Sequence, residues 1–300
     1  MRAYLTMRSP FNNMKRIQTG LNIIFFYGII LLIALYLLFP ILWGLLTALK
    51  TEAEAIRQPA TWFPANPTLS NFRAVFSDSI LMRSLWNSTL VASMTTLLSL
   101  GIGSFAAYAL GKLRFRFRRA VLYSLLSMTT FPAVTLLSGL YSINRIINDI
   151  DAVMTWITLP TQAVLIAMYM IFALPFTIWT LSYFFKSLPD SLLQAARIDG
   201  ATHWQILWWV IIPLARPAFV STGLLTFIAA WNEYLFALTF TLQKPDLRTM
   251  PVAITSYYAL GTPIGQVMAA GIIVIIPTLI LVIVFQNRIV DGLTVGAVKG

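Results

Sequence analysis

The chain of 300 residues is 58% apolar and only 10% charged, with a mean hydropathy of +0.79. A soluble domain carries about 25% charged residues, so a water-soluble globule of this length would leave much apolar surface wet, and the chain reads as an integral membrane protein. The net charge of +11 fits the Lys and Arg excess of cytoplasmic loops better than a nucleic-acid surface, while the lack of cysteine excludes disulfides, thiolate metal sites and a Cys nucleophile, and one histidine supplies no transition-metal ligand set.

The apolar runs are continuous rather than alternating, which predicts helices and not barrel strands. A helix needs about 20 apolar residues to cross the hydrocarbon core, and the charge-free intervals predict an all-α polytopic fold with six transmembrane helices. Arg2, Arg8, Lys15 and Arg16 precede the first run with no small-residue cleavage site after it. Residues 1–20 are therefore expected to be a tail before an uncleaved first span at about 22–46. In the long loop that follows, Pro59, Pro64 and Pro67 forbid a continuous helix, and FPANPTLSNF leads as a short surface segment into span two.

Span two lies between Arg83 and Lys112, and span three between Arg119 and Arg145. Span four starts near Pro160 and crosses Pro175, whereas span five runs from Pro213 to about Trp231–Tyr234. Span six is expected at about 265–286, with Pro277 inside, and residues 288–300 form a second tail. The six-span domain thus covers 21–287. Six spans put both termini on one side, and the tails and loops of that side hold 14 of the 21 Lys and Arg residues. The positive-inside bias makes it the cytoplasm. KLRFRFRR (112–119), between two spans, reads as an anchor for anionic headgroups rather than as an RNA surface.

One polar stretch interrupts this pattern: LLQAARIDGATHW, 192–204, in the loop at about 186–213. Ser191 followed by Gln194 predicts a capping box for a first short helix, and Gly200 suits the left-handed residue that ends it. Arg197 falls in the last turn, where a cation is favoured. Thr202 with Gln205 predicts a second box, after which Trp204, Leu207, Trp208 and Ile211 fall on one apolar face. The expected element is a helix–turn–helix at the membrane surface. The small residues Ala195, Ala196, Gly200 and Ala201 would allow close approach of a partner; an interfacial helix with no partner fits the same pattern.

QAARIDGA followed by VIIP, with Pro213 thirteen positions after Gly200, resembles the EAA motif of ABC importer permeases. Ala195, Ala196, Gly200 and Pro213 match that motif by identity, Val210 and Ile212 conservatively, and Gln194 replaces its leading Glu. NRIVDGLTVGAVKG (287–300), WNSTLVAS (86–93), AAYALGKLRF (106–115) and FIAAWNEYLFAL (227–238) are similar to the maltose-type, MalG-like carbohydrate uptake group. The resemblance implies a type I (MetI-like) fold with a cytoplasmic coupling helix. It implies a bacterial inner-membrane location, a homologous permease subunit as heterodimer partner, two ABC ATPase subunits and an extracytoplasmic sugar-binding protein. The ATPase would contact Gln194, Ala195, Ala196, Arg197, Asp199, Gly200, Ala201 and Pro213. In the tail it would contact Gly292, Leu293, Thr294, Gly296 and Lys299. The uncharged Gln194 would forgo the ion pair of the usual Glu.

No Gly-x-x-x-x-Gly-Lys-Ser/Thr sequence is present. The chain is therefore expected to bind no cofactor itself, with ATP and Mg carried by the partner ATPases. Candidate residues for a sugar path, near outer span ends, are Asn87, Tyr141, Asn144, Trp231, Asn232 and Glu233, with Thr249, Tyr257 and Tyr258 in the loop at about 240–263. Maltose, trehalose or another α-glucoside would fit, as would a polyol or glycerol phosphate. An ion-coupled secondary transporter would need acids or His mid-span, where only Glu233 comes near. A membrane enzyme would need clustered acids, nucleophiles or ligands.

Overall fold

The computed structural model describes residues 10–153 and 161–294, with side-chain surroundings for 22–143 and 161–286. All regular elements among the described residues are helical. Helix α1 (Pro10–Ala48) leads to a short α2 (Glu52–Ala55), to α3 (Ser70–Ser77), and to a long α4 (Ser79–Lys112). The helices α5 (Arg118–Thr129), α6 (Ala133–Val153), α7 (Thr161–Ser187) and α8 (Asp190–Ile198) follow. The chain continues through α9 (His203–Leu214), α10 (Arg216–Trp231), α11 (Leu235–Thr241), α12 (Met250–Ala259) and α13 (Ile264–Thr294).

Four of these helices can each cross a bilayer, at Asn22–Ala48, Ser79–Lys112, Thr161–Ser187 and Ile264–Gln286. The remaining two spans are bent pairs rather than the straight helices expected. Arg118–Thr129 meets Ala133–Ile143 at 93°, and His203–Leu214 meets Arg216–Trp231 at 80°. The first bend has a local cause. The hydroxyls of Thr129 and Thr130 donate to the carbonyls of Leu126 and Ser127, satisfying acceptors that a continuing helix would use. Phe131, before Pro132, is also disfavoured in helical geometry. At the second bend, Pro217 has no N–H to offer the carbonyl of Pro213. The second arm of this bent span therefore begins at Arg216, and Pro213 lies in the first arm, before the corner.

The centre of the bundle is the pairing of α4 with α7, built on small residues four apart. Gly103, Ala107 and Gly111 line the contact. A Cβ on Gly103 would lie 2.9 Å from Thr177 Cγ2; one on Gly111 would lie 3.0 Å from the Ser182 carbonyl oxygen. Such close approach is how helices associate where no hydrophobic drive exists between them. Gly223 of α10 packs similarly, 3.0 Å from Leu100 by the same measure. By contrast, among the described residues α1 joins the bundle through its last turns, where Gly44 meets Met268 and Ile272 of α13 and Ala48 is buried. Most of its side chains from 22 to 42 are exposed.

The end of the bundle that carries α3 and α12 is pinned by amides and hydroxyls. Asn71 donates to the carbonyls of Ala48 and Lys50, 2.9 and 2.8 Å away, closing the end of α1. Lys50 is 2% exposed; its ammonium donates to the Thr61 carbonyl and lies 4.9 Å from the Trp43 ring centre. Ser88 Oγ accepts from the Met250 N–H at 2.7 Å, capping α12 onto α4. Most of FPANPTLSNF (63–72) is exposed, as expected of a surface segment; α3 anchors it by burying Asn71, and Val75 beyond it packs in a core with Leu81, Met250 and Ala269.

Candidate coupling elbow and solute path

Helix α8 starts one residue before the expected cap. Pro189 occupies the N-cap position with no side-chain bond, so Ser191 lies inside the helix and the Ser191–Gln194 box does not form. A tertiary clasp replaces it. Lys112, at the end of α4, donates to the Leu188 carbonyl and to Asp190 Oδ1, each at 2.6 Å. The lysine side chain is 3% exposed and its partner 70%. That hydrogen bond, then the lysine charge, holds the Asp190 carboxyl below its usual range, with Arg114 and Arg118 adding to the effect.

The far end of α8 follows the sequence. Gly200 has φ +81, the Ala201 N–H donates to the Ala196 carbonyl at 2.9 Å, and the Gly200 N–H donates to Arg197 at 3.0 Å. This is a Schellman ending, which satisfies carbonyls the helix leaves open. Two residues on, Thr202 and Gln205 form the reciprocal capping box. The turn between α8 and α9 is therefore stiff on both sides.

The apolar face of α9 differs from the expected one because residues Ile206–Ile211 wind as a π-helix. The wider turn brings Ile206 inward with Leu207 and Ile211, while Trp204, Trp208 and Trp209 stay exposed. The buried trio packs with Leu193, Tyr108, Phe185 and Ala215. Trp204 stacks instead on Phe105 of α4, with centroids 5.2 Å apart and planes 11° from parallel. His203 Nδ1 lies 2.8 Å from the Tyr108 hydroxyl. So the elbow's inner side is fixed to α4 at three levels: Lys112, Tyr108 and Phe105.

Its outer side is bare. Gln194, Ala195, Arg197, Asp199 and Gly200 are exposed, whereas Ala196 and Ala201 are half-buried beneath them. Ile198 projects from the same helix, 86% exposed. A polar cleft beside it is lined by Lys112, Arg114, Asp190, Gln194 and Arg197. Ile198 and Tyr108 were not singled out in the sequence, and Lys112 was read there as part of a headgroup anchor, not as this clasp. Ile198 carried a signal, an apolar residue off the buried stripe; the other two depend on partners 78 and 95 positions away.

The residues expected near outer span ends do not converge. The Asn87 amide donates to the carbonyls of Asp246 and Arg248, 2.9 and 3.1 Å away, holding a loop. The Trp231 indole donates to Val274 at 3.2 Å and is buried beside Phe227 and Ala92. Asn232 donates to Ile228 within its own helix. Tyr141 is exposed against Phe240. Thr249 is buried, Tyr257 donates to Gln266, and Tyr258 is exposed. The side chains of Asn144, Gly292, Leu293 and Thr294 lie outside the described residues, as do Gly296 and Lys299 altogether.

Glu233 reaches a cavity. Its oxygens accept from the backbone N–H groups of Phe236 and Ala237, 2.9 and 3.1 Å away, capping α11. It also borders a space of about 460 Å³ with Tyr169, Phe172, Phe176, Thr226 and Phe236. The Tyr169 hydroxyl is buried there without a hydrogen-bond partner.

The model of one family, described as the binding-protein-dependent transport system inner membrane component, matches residues 99–295. Over 264 residues the chain is 42% identical to the sulfoquinovosyl glycerol transport system permease protein of Agrobacterium fabrum, covering 88% of this chain and 89% of that one. It is 38% identical over 268 residues to the trehalose transport system permease protein of Mycobacterium tuberculosis, covering 88% and 93%. Its fold is similar to that of a chain in the crystal structure of a bacterial ABC transporter involved in the import of the acidic polysaccharide alginate. The TM-score is 0.72 at 23% identity, covering 94% of this chain and 98% of that one.

Proposed function

The chain belongs to the family of binding-protein-dependent transport system inner membrane components, and from that membership we propose the following mechanism of sugar import. The protein is a non-catalytic, multi-pass permease subunit of an ABC importer of sugars. It pairs with a homologous permease subunit and two ATPase subunits, which hold ATP and Mg. An extracytoplasmic binding protein delivers the sugar, and both termini lie in the cytoplasm.

The observation that carries this reading is the two-sided elbow: an inner face locked to α4 and an outer face left open around Ile198. The outer face is the ATPase contact, through Gln194, Ala195, Arg197, Asp199 and Gly200. Closure of two ATPases on ATP displaces α8. Because the elbow and α4 form one body, the displacement reaches the spans as tilt. To swing the spans from 1:99 to 99:1 the ATPase must favour one state by about 5.5 kcal/mol.

The cavity beside Glu233 is the part of the path this chain supplies. Sugar C–H faces pack on Phe172, Phe176 and Phe236, and hydroxyls bond to Glu233 and Tyr169. Among the described residues its lining holds a carboxylate and no cation, which favours an uncharged saccharide such as trehalose or maltose over a phosphorylated or sulfonated one. Uptake of a labelled sugar panel by the complete transporter in liposomes tests this. Neutral disaccharides should be taken up in an ATP-dependent manner. Exclusive uptake of anionic solutes would refute the assignment.

A further inference from the structure

Between α5 and α7, at the end of the bundle that carries the elbow, lies a cleft of about 390 Å³. It is lined by Arg118, Arg119, Lys186, Trp179, Tyr183 and Leu122, among others. Its two walls are graded in the same direction. On α7, Trp179, Tyr183 and Lys186 follow one another at helical spacing on one face, from apolar to cationic. On α5 the two arginines stand at the start and Leu122 one turn further in. Arg118 Nη2 donates to the Gly111 carbonyl at 3.1 Å, and Gly111 itself abuts Ser182 and Phe185, so the cationic ends of both walls share one level.

Among the described residues no carboxylate forms a salt bridge with these cations; the salt bridges are Arg83–Asp246 and Lys112–Asp190. Asp190 feels the Arg118 charge but is bonded to Lys112. Three positive groups thus crowd one cleft, with a tryptophan and a tyrosine 43% and 60% exposed beside them. Such aromatics gather at the membrane–water boundary. A free anion would use the cations and leave the aromatic wall idle, whereas an amphiphile with an anionic head and an apolar stem fills both levels. We infer that this cleft is a headgroup site for an anionic phospholipid, with the phosphate on Arg118, Arg119 and Lys186 and the glycerol and upper chains along Tyr183, Trp179 and Leu122. The site is separate from the solute path and does not depend on which sugar is carried.

The test is lipid retention by the purified, complete transporter in native mass spectrometry, with phosphatidylglycerol and phosphatidylcholine of matched chains. Phosphatidylglycerol should be retained tightly. Retention should weaken about 30-fold in Arg119→Gln/Lys186→Gln, each cation contributing roughly fivefold, with phosphatidylcholine unchanged. Arg118 is left in place because it also holds the Gly111 carbonyl. The charge-preserving Arg119→Lys/Lys186→Arg protein should retain phosphatidylglycerol as the parent does, separating loss of charge from loss of fold. Equal retention by the parent and the neutral variant would overturn the inference. So would displacement of the lipid by millimolar inorganic phosphate, which would mark a free-anion site. Cross-linking of a Tyr183→Cys protein to a partner subunit would show the cleft covered by protein, and would overturn it as well.

Discussion

The Tyr108 hydroxyl and His203 Nδ1 stand 2.8 Å apart, joining the lower part of α4 to the first turn of α9. Tyr108 also lies beside Arg197 of the surface assigned to the ATPase. This bond, the Phe105–Trp204 stack beside it and the Lys112 clasp are three polar or aromatic links by which motion of the elbow reaches α4. A net hydrogen bond contributes about 1 kcal/mol. Tyr108→Phe should therefore lower sugar moved per ATP hydrolysed by about threefold while the basal ATPase rate holds. Trp204→Ala in the same background should lower it further. An unchanged ratio in the double variant, measured in proteoliposomes, would mean that the elbow is driven by another route.

Asp190 supplies a prediction with a definite sign in pH. Its carboxyl is held below the usual range by the Lys112 hydrogen bond first and the lysine charge second. A lowered pKa means the clasp stabilises the start of α8 above the ordinary Asp range, near about 3.9, and is lost as pH falls through the lowered value. Between pH 5 and 8 it does not titrate. Hydrogen exchange, corrected for intrinsic rates, should show the amides of Leu193 and Gln194 equally protected across that interval. Asp190→Asn should reduce their protection there, and the two proteins should converge in strong acid.

Ile198 is the exposed apolar knob of α8. Burying such a side chain is worth roughly 1.5–3 kcal/mol. Ile198→Glu should weaken co-purification of the ATPase by at least tenfold without changing the thermal midpoint of the isolated permease pair. A parallel fall in thermal stability would instead mean that Ile198 packs within its own chain.

Gly200 separates backbone from contact. No atom lies within 4 Å of a Cβ placed there, but its φ is +81. A left-handed non-glycine residue costs roughly 1–2 kcal/mol, and Asn less than most. Gly200→Leu should uncouple sugar-stimulated ATP hydrolysis with the spans still inserted, whereas Gly200→Asn should retain most of it. Full coupling in Gly200→Leu would show that the Schellman ending is not needed for transmission.

Gly111 tests the seam. A methyl group there would press on the Ser182 carbonyl oxygen at 3.0 Å, and backbone cannot yield as a flexible side chain does. Overpacking of this kind costs about 1–3 kcal/mol, so Gly111→Ala should lower the melting temperature of the detergent-purified subunit pair by several degrees. Gly101→Ala, with open space around it, should leave the midpoint unchanged.

Much of this was legible in the sequence. Long charge-free runs mark membrane spans because apolar length is what a bilayer demands, and Thr202, Gln205 and Gly200 announce their turns through local hydrogen bonds alone. The Ser191 box was not legible, since Lys112 is 78 positions distant and its clasp starts α8 earlier. Hydropathy reports length and not straightness, so the 93° and 80° corners stayed hidden. The π-turn shifts residues by a fraction of a turn, enough to exchange Ile206 for Trp208 on the buried face. Asn87, Trp231 and Glu233 looked like one polar mouth because chain position near a span end says nothing of which side the residue faces.

Among the described residues helix α1 packs on its own bundle around Gly44 and Ala48, and before that most side chains from 22 to 42 are exposed, Phe39 resting on Trp62 of the following loop. That span behaves as an outrigger. Its sequence answers to bilayer thickness and to whatever lies alongside, so substitutions among apolar types from 23 to 42 should be nearly silent in the isolated subunit, and any that are not will point to a neighbour leaning on it.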